Sequence, residues 1–230
     1  MQKLPRRTTG DAVQAVVKAV AGAVPIGGSA LTGLLETVFA PPLERRRDKW
    51  LGELAEVVER LESELGPGSA ALLAGNEAFI SAAIQATQIA YRTHQDAKLH
   101  ALKCAVFNSA TLDDVSEDRQ AVFLRIVDEL TPSHLRVLSL YSKPETWLRV
   151  PDYPDDGWGR SAPSDAIFPL VPSLDSDPEF YEQIARDLQT RGLVKQGLLT
   201  HFKILKGGTV DPKTTEFGEA LLLFIAESTT

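Results

Sequence analysis

The longest apolar stretch of the chain lies near its amino end, between residues 12 and 40. Lys18 and Glu36 are its charged residues, and Pro25 begins a Pro-Ile-Gly-Gly break near its middle. Apolar residues recur at helical spacing on both sides of this break, so the pattern predicts a helical hairpin. Each arm is roughly 17 Å long, too short to cross a hydrocarbon layer of about 30 Å by itself.

The predicted hairpin presents apolar side chains that need a cover. The residues predicted to contact a membrane or a second subunit are Val16, Val17, Val20, Leu31, Leu34, Leu35, Val38 and Phe39. Its small residues permit the close helix pairing seen within bilayers, and equally suit a hairpin folded onto the helices of residues 42–107. Burial within the subunit or an oligomer, and direct membrane contact, therefore both stay open.

Basic residues flank the apolar stretch on both sides. If it forms a hairpin, the two flanks lie at the same end and face anionic lipid headgroups together, each cation contributing about 1 kcal/mol near such a surface. The residues predicted for this contact are Arg6, Arg7, Arg45, Arg46 and Arg47. The alternative for the last three is a solvated helix face paired with neighbouring acids.

The rest of the first half predicts two long helical segments. Pro41-Pro42 is predicted to start an amphipathic helix whose apolar positions recur every three or four residues from Trp50 to Leu65. Asn76 is predicted to cap a second helical run to about Val106, with a break near residues 93–95. The polar linker at residues 108–115 marks a predicted boundary after a helical domain of residues 1–110.

The second half, residues 116–230, has a different pattern. Helices are predicted at residues 116–130, 132–141, 178–191 and 216–227, with a proline-rich insertion at residues 143–177. Short strands are predicted near residues 193–194, 199–205 and 209–210. The whole chain is therefore predicted to be mainly α, a helical domain followed by an α+β domain.

Charge and cysteine content narrow the range of functions. The formal net charge of −7 is unevenly distributed between the two halves of the chain. Residues 1–115 hold 12 Lys and Arg against 13 Asp and Glu, and residues 116–230 hold 12 against 18. An acidic second half argues against a large nucleic-acid footprint there. The single cysteine, Cys104, excludes an internal disulfide and fits a cytoplasmic protein, with membrane association left open.

Candidate catalytic and metal-binding residues do not form a recognisable motif. His94 and His100 lie six positions apart, which places them on different helix faces, while His100 and Cys104 can share one. Gly27-Gly28 lacks the Gly-Lys-Ser/Thr ending of a phosphate-binding loop. The sequence therefore predicts no catalytic residues, no metal site, no cofactor and no small-molecule substrate.

The second half resembles the winged-helix modules of bacterial regulators over residues 117–227. The resemblance is carried by DLQTRGLV at 187–194, where a helix leads into a strand, and by TEFG at 215–218, where the wing leads into the last helix. The resemblance implies protein contact or dimerisation. Alternatively it implies DNA binding by a regulator, for which the candidate contacts are Arg186, Arg191, Lys203 and Lys206.

The whole chain also resembles bacterial proteins of the abortive infection alpha family. The segments that carry this likeness are PPLERRRDKW at 41–50, IAYRTHQDAKLHAL at 89–102 and VDELTPSHLRVL at 127–138. The resemblance implies a non-enzymatic cytoplasmic protein of phage defence. In that hypothesis the winged-helix half binds a protein partner, and the apolar hairpin mediates homo-oligomerisation or membrane disruption.

Overall fold

The computed structural model is mainly helical over the residues that it describes. These residues are 34–66, 68–112, 114–143, 160–161, 167–195, 202–203 and 212–227, and for 34–41, 70, 160–161 and 202–203 only the backbone is described. The helices in these ranges are α1 (Leu34–Leu65), α2 (Ser69–Leu73), α3 (Glu77–Arg92), α4 (Asp96–Thr111), α5 (Glu117–Glu129), α6 (Pro132–Ser142), α7 (Pro172–Asp175), α8 (Pro178–Thr190) and α9 (Glu216–Phe224). Two short strands, β1 (Arg160–Ser161) and β2 (Phe202–Lys203), pair in antiparallel orientation.

The first compact unit is a helical bundle built from α1 to α5. It comprises the described residues up to Glu129 together with residues 224–227. Helices α3 and α4 pack against each other, and both contact α1 and α5. Helix α3 contributes the buried small residues Ala82, Ala83 and Ala86, which let neighbouring helices approach closely. The large buried side chains of this core are Trp50, Leu61, Phe79, Leu102, Phe123 and Leu124.

Local signals in the sequence mark the helix ends of this unit correctly. The Asn76 side chain accepts a hydrogen bond from the Phe79 amide at 3.1 Å and caps α3. The predicted break at residues 93–95 separates α3 from α4, and Thr93 is extended there. Gly66 ends α1 with a φ of +93°, a conformation that costs glycine little.

The prediction that Pro41-Pro42 starts a new helix is wrong. Helix α1 runs as one 32-residue helix from Leu34 through both prolines to Leu65. Proline fixes φ near the helical value, so the backbone continues, although each proline removes one backbone donor. The last turns of the apolar stretch and the amphipathic helix are therefore a single element.

The division into compact units falls after Glu129, further along the chain than the linker at residues 108–115. The reason is the packing of α5, whose buried face contacts α3 and α4. Phe123 and Val127 of this face are fully buried, and the Phe123 ring lies 5.5 Å from that of Phe224. Residues 112 and 114–116 thus lie between two helices of one unit.

The second unit spans the described residues from Leu130 to Leu223. Helix α6 packs on α8, and the Tyr141 and Tyr181 hydroxyls share a buried hydrogen bond of 2.9 Å between them. After α8, Gly192 turns the chain with a φ of +69°, and Val194 forms an antiparallel bridge with Thr214. Helix α9 follows directly, capped by the Thr215 hydroxyl, which accepts from the Gly218 amide at 3.0 Å.

Some predicted details of packing and pairing differ from the structure. Leu65 and Phe180, at apolar positions of their helices, are 51% and 37% exposed, and each lies within three residues of a helix end. Helix α9 ends at Phe224, three residues before the predicted end. The β2 strand pairs with β1, inside the segment predicted to be a proline-rich loop, whereas the predicted strand at 209–210 lies outside the described residues.

Candidate functional site

On the face of α1 that packs within the first unit, the described side chains change from partly exposed to buried at Trp50. From this residue onward the face is apolar and buried, through Leu54, Val57, Val58 and Leu61. The Trp50 indole N–H donates to the Thr87 hydroxyl of α3 at 2.8 Å, which fixes α1 against α3 at this level. On the other side of Trp50, each residue from Pro42 to Lys49 is at least partly exposed. Between residues 42 and 65, where the side chains of α1 are described, close packing therefore begins at Trp50.

A cleft of about 290 Å³ lies beside this less packed part of α1. One wall is α1, which contributes residues at spacings of three and four that share a helix face. The other wall is the end of α3, the break and the start of α4. The residues that line the cleft are Pro42, Arg45, Arg46 and Lys49 on the first wall, and Ala90, Thr93, His94 and Leu99 on the second.

The charge in the cleft is positive and only partly neutralised. Lys49 pairs with Asp96 at 2.7 Å; this hydrogen bond raises the pKa of Lys49 and lowers that of Asp96. Neither Arg45 nor Arg46 forms an ion pair with any residue that the structure describes. Among the described residues, two guanidinium groups beside the cleft thus lack a carboxylate partner.

Arg47 lies on a neighbouring face of α1, close enough to Tyr91 to influence its hydroxyl. Burial raises the pKa of Tyr91, and the positive charge of Arg47 opposes that effect. The Tyr91 hydroxyl is buried and has no hydrogen-bond partner among the described residues. Three of the five arginines predicted to contact anions therefore lie along one stretch of α1, with Arg45 and Arg46 at the cleft and Arg47 beside it.

The remaining residues of the predicted membrane contact are only partly described. Leu34, Leu35, Val38 and Phe39 belong to the first turns of α1, where the structure gives the backbone alone. The other residues lie outside the described part of the chain; they are Arg6, Arg7, Val16, Val17, Val20 and Leu31. Contacts of the hairpin thus stay predictions.

Of the four predicted DNA contacts, the structure describes the side chains of Arg186 and Arg191 alone. Arg186 pairs with Glu182 one turn away at 2.6 Å, and both side chains are about half exposed. Arg191 lies at the carboxyl end of α8, where its backbone amide donates to the Asp187 carbonyl at 3.1 Å. Lys203 belongs to β2, where the backbone alone is described, and Lys206 lies outside the described residues.

The candidate ligands His100 and Cys104 lie on α4, and His94 lies two residues before this helix. His100 Nε2 is 3.7 Å from Cys104 Sγ, as their four-residue spacing indicates. Burial raises the pKa of the Cys104 thiol to about 11, which keeps it protonated and weakly nucleophilic at neutral pH. Within the described residues, no three His, Cys, Asp or Glu side chains come together as metal ligands would.

Sequence reasoning missed one buried polar cluster in the second unit. His134 Nδ1 is 3.3 Å from the Thr131 amide nitrogen and 2.8 Å from the Thr131 hydroxyl oxygen, and Nε2 is 3.3 Å from Asp187 Oδ2. An amide N–H can only donate, so Nδ1 accepts and Nε2 carries the hydrogen. Burial lowers the pKa of His134. The Thr-Pro-Ser-His spacing at 131–134, which matches a capping box, is the signal that predicts this contact.

Comparisons with known proteins give no relative from which a role can be transferred. No family model, no curated protein and no solved structure matches the chain. Over the described residues, every helix is too short or too polar to traverse a lipid bilayer. The resemblances to the abortive infection alpha family and to winged-helix modules stay predictions.

Proposed function

We propose that this chain is a non-enzymatic bacterial protein of the abortive infection type, acting in phage defence by membrane disruption. In this proposal the apolar amino-terminal stretch contacts an anionic membrane, and the second unit binds the protein partner that triggers it. One observation carries the proposal: a single helix, α1, joins the end of the apolar stretch to the core of the first unit.

The continuity of α1 supports a mechanical link between the apolar stretch and the bundle. Among the α1 side chains that the structure describes, those of residues 42–65, the buried ones begin at Trp50, and they anchor the second half of the helix. The 16 residues before it, 34–49, correspond to about 24 Å of helix at 1.5 Å per residue. This length of helix separates Leu34 from the buried side chain of Trp50.

The charge along α1 supports an anionic surface as the target. Arg45, Arg46 and Arg47 follow the last apolar turn within one or two helical turns. Cations placed beside an apolar segment lie at headgroup depth when that segment enters a membrane, and each contributes about 1 kcal/mol. The absence of carboxylate partners for Arg45 and Arg46 within the described residues leaves these charges available for that contact.

A winged-helix-like arrangement of the second unit is the finer part of the proposal. Its support is the order of α6, α8, the Val194–Thr214 bridge and α9, with Gly218 lying directly against Leu193. The pairing of Arg186 with Glu182 and the acidic balance of this half favour a protein partner over duplex DNA.

Dye release from lipid vesicles tests the membrane role in the full-length chain. We expect release from vesicles rich in phosphatidylglycerol and little from phosphatidylcholine vesicles, with Val16→Asp/Val20→Asp abolishing it. Leu72→Asp is the matched control, because Leu72 is an apolar residue that is 78% exposed on α2. Equal release by both variants, or none by the wild type, would refute membrane disruption. In that case, a subunit mass that falls on Val16→Asp/Val20→Asp would identify oligomerisation as the role of the stretch.

A further inference from the structure

The cleft between α1 and the α3–α4 break has the composition of an anion site on both walls. Arg45, Arg46 and Lys49 contribute charged donors from one helix face. Thr93 on the opposite wall is 9% exposed, and its hydroxyl oxygen accepts from the Gln95 amide at 3.2 Å. Since that oxygen already accepts, its own hydrogen is available to donate. His94 adds an exposed ring on the same side.

The cationic side chains of this cleft come from neighbouring turns of one helix. Among the described residues, their one carboxylate partner is Asp96, which pairs with Lys49 at 2.7 Å and is 85% exposed. Like charges at neighbouring helical positions repel each other. A bound anion attracts these cations and offsets their mutual repulsion, so the binding of an anion in the cleft is electrostatically favourable.

The chemistry of the donors selects a phosphate group. A guanidinium presents two parallel N–H groups that match two oxygens of a phosphate, and Arg45 with Arg46 offers two such forks. A phosphate accepts hydrogen bonds from several directions at once, so Lys49 and the Thr93 hydroxyl can contribute further bonds. The volume of about 290 Å³ admits a phosphate together with part of the group that carries it.

We propose that the cleft lined by Arg45, Arg46, Lys49, Thr93 and His94 is a binding site for a phosphate group, and that this group belongs to a lipid. The lipid assignment rests on the proposed function, because α1 leads from the cleft directly into the apolar stretch within two or three turns. The phosphate assignment rests on the cleft alone.

A titration of the full-length chain with inorganic phosphate at constant ionic strength tests the site. Amide resonances of Thr93 and His94 are expected to shift and to saturate. Arg46→Gln is expected to weaken binding about tenfold, the effect of losing one charge-assisted pair of hydrogen bonds. Arg125→Gln, which removes an exposed arginine of α5, is the matched control and is expected to change the affinity less than twofold. No saturable shift, or equal weakening by both variants, overturns the phosphate site.

A second arm identifies the source of the phosphate. Vesicles of phosphatidylglycerol are expected to compete with inorganic phosphate for the Thr93 and His94 resonances, and phosphatidylcholine vesicles are not. Phosphate binding without this competition overturns the lipid assignment and leaves a site for a soluble phosphate compound. Repeating the phosphate titration with Val16→Asp/Val20→Asp separates the two proposals. Retained binding in a variant that has lost dye release shows that the cleft does not depend on the apolar stretch.

Discussion

The Asn108 side-chain amide donates a hydrogen bond to the Phe224 carbonyl at 2.8 Å, joining residues 116 positions apart in the chain. The same amide donates to the Ala226 carbonyl at 2.9 Å. Both carbonyls belong to the last turn of α9 and the residues after it, where a helix has no backbone donors of its own left to offer. A buried side chain of α4 therefore supplies donors for the carbonyls of residues 224 and 226, within the first unit.

Replacing this residue tests how much the contact stabilises the first unit. Asn108→Ala leaves two carbonyls without their donor, and we expect it to lower the free energy of unfolding by about 1–3 kcal/mol. Asn108→Asp is expected to cost more, since a carboxylate would face two carbonyl oxygens. Urea unfolding measures both effects. Gln88→Ala, at an exposed position of α3, is the control and should change little. A near-neutral Asn108→Ala would contradict a stabilising cap.

The His134 cluster predicts a dependence of stability on pH. Burial lowers the folded-state pKa of His134 below its ordinary value of 6.5, so the unfolded chain binds the proton first as the pH falls. The contribution is therefore fully present above about pH 6.5 and declines below it until the folded-state pKa is passed. Urea unfolding at pH 7.5 and 5.5 should show a stability advantage over His134→Gln that shrinks at pH 5.5. An advantage that is constant or larger at pH 5.5 would reverse the assigned direction.

Gly218 lies in crowded surroundings and Gly52 in open space, so replacing each by alanine gives a matched pair of substitutions. A Cβ at Gly218 would overlap the Leu193 carbonyl oxygen, so Gly218→Ala must displace the chain where α9 meets residue 193. We expect a loss of about 1–3 kcal/mol, the usual cost of overpacking. Gly52 lies within α1 with open space around it, and Gly52→Ala should stabilise by about 0.5–1 kcal/mol. Thermal unfolding compares the pair, and equal effects would show that the close approach at Gly218 carries no constraint.

The two prolines within α1 predict a weak point in that helix. Pro41 and Pro42 provide no N–H groups for the Thr37 and Val38 carbonyls, so Pro41→Ala/Pro42→Ala restores two backbone hydrogen bonds. We expect hydrogen exchange over residues 34–49 to slow by about tenfold or more. Pro132→Ala is the control, because proline at the first position of α6 replaces no intrahelical donor. Unchanged exchange over 34–49 would show that the prolines do not weaken α1.

Features that depend on neighbours in sequence were predicted well. The cap at Asn76 and the break at residues 93–95 follow from side chains within a few positions. The continuation of α1 through Pro41-Pro42 was not predicted. Proline favours the first turn of a helix, but its fixed φ also allows a helix to continue through it, and the sequence pattern does not distinguish these two outcomes.

The arginines of the candidate site could be predicted from the sequence, whereas the residues of the facing wall could not. Arg45 and Arg46 stood out as an unusual basic run following an apolar stretch. Thr93 and His94, which form the facing wall, lie almost 50 residues later in the chain. Their position depends on the packing of α1 against α3 through Trp50 and Thr87, a long-range contact that periodicity does not encode. Asn108 was missed for the same reason.

The entry of the apolar stretch into a membrane is tested most directly by an environment-sensitive fluorophore on Val38→Cys. The native Cys104 stays largely unlabelled at pH 7, since it is buried and burial raises its pKa to about 11. With phosphatidylglycerol vesicles, we predict a blue shift and stronger emission at position 38, and no change for the same label on Leu72→Cys. Emission at position 38 that stays the same with and without these vesicles would contradict the account.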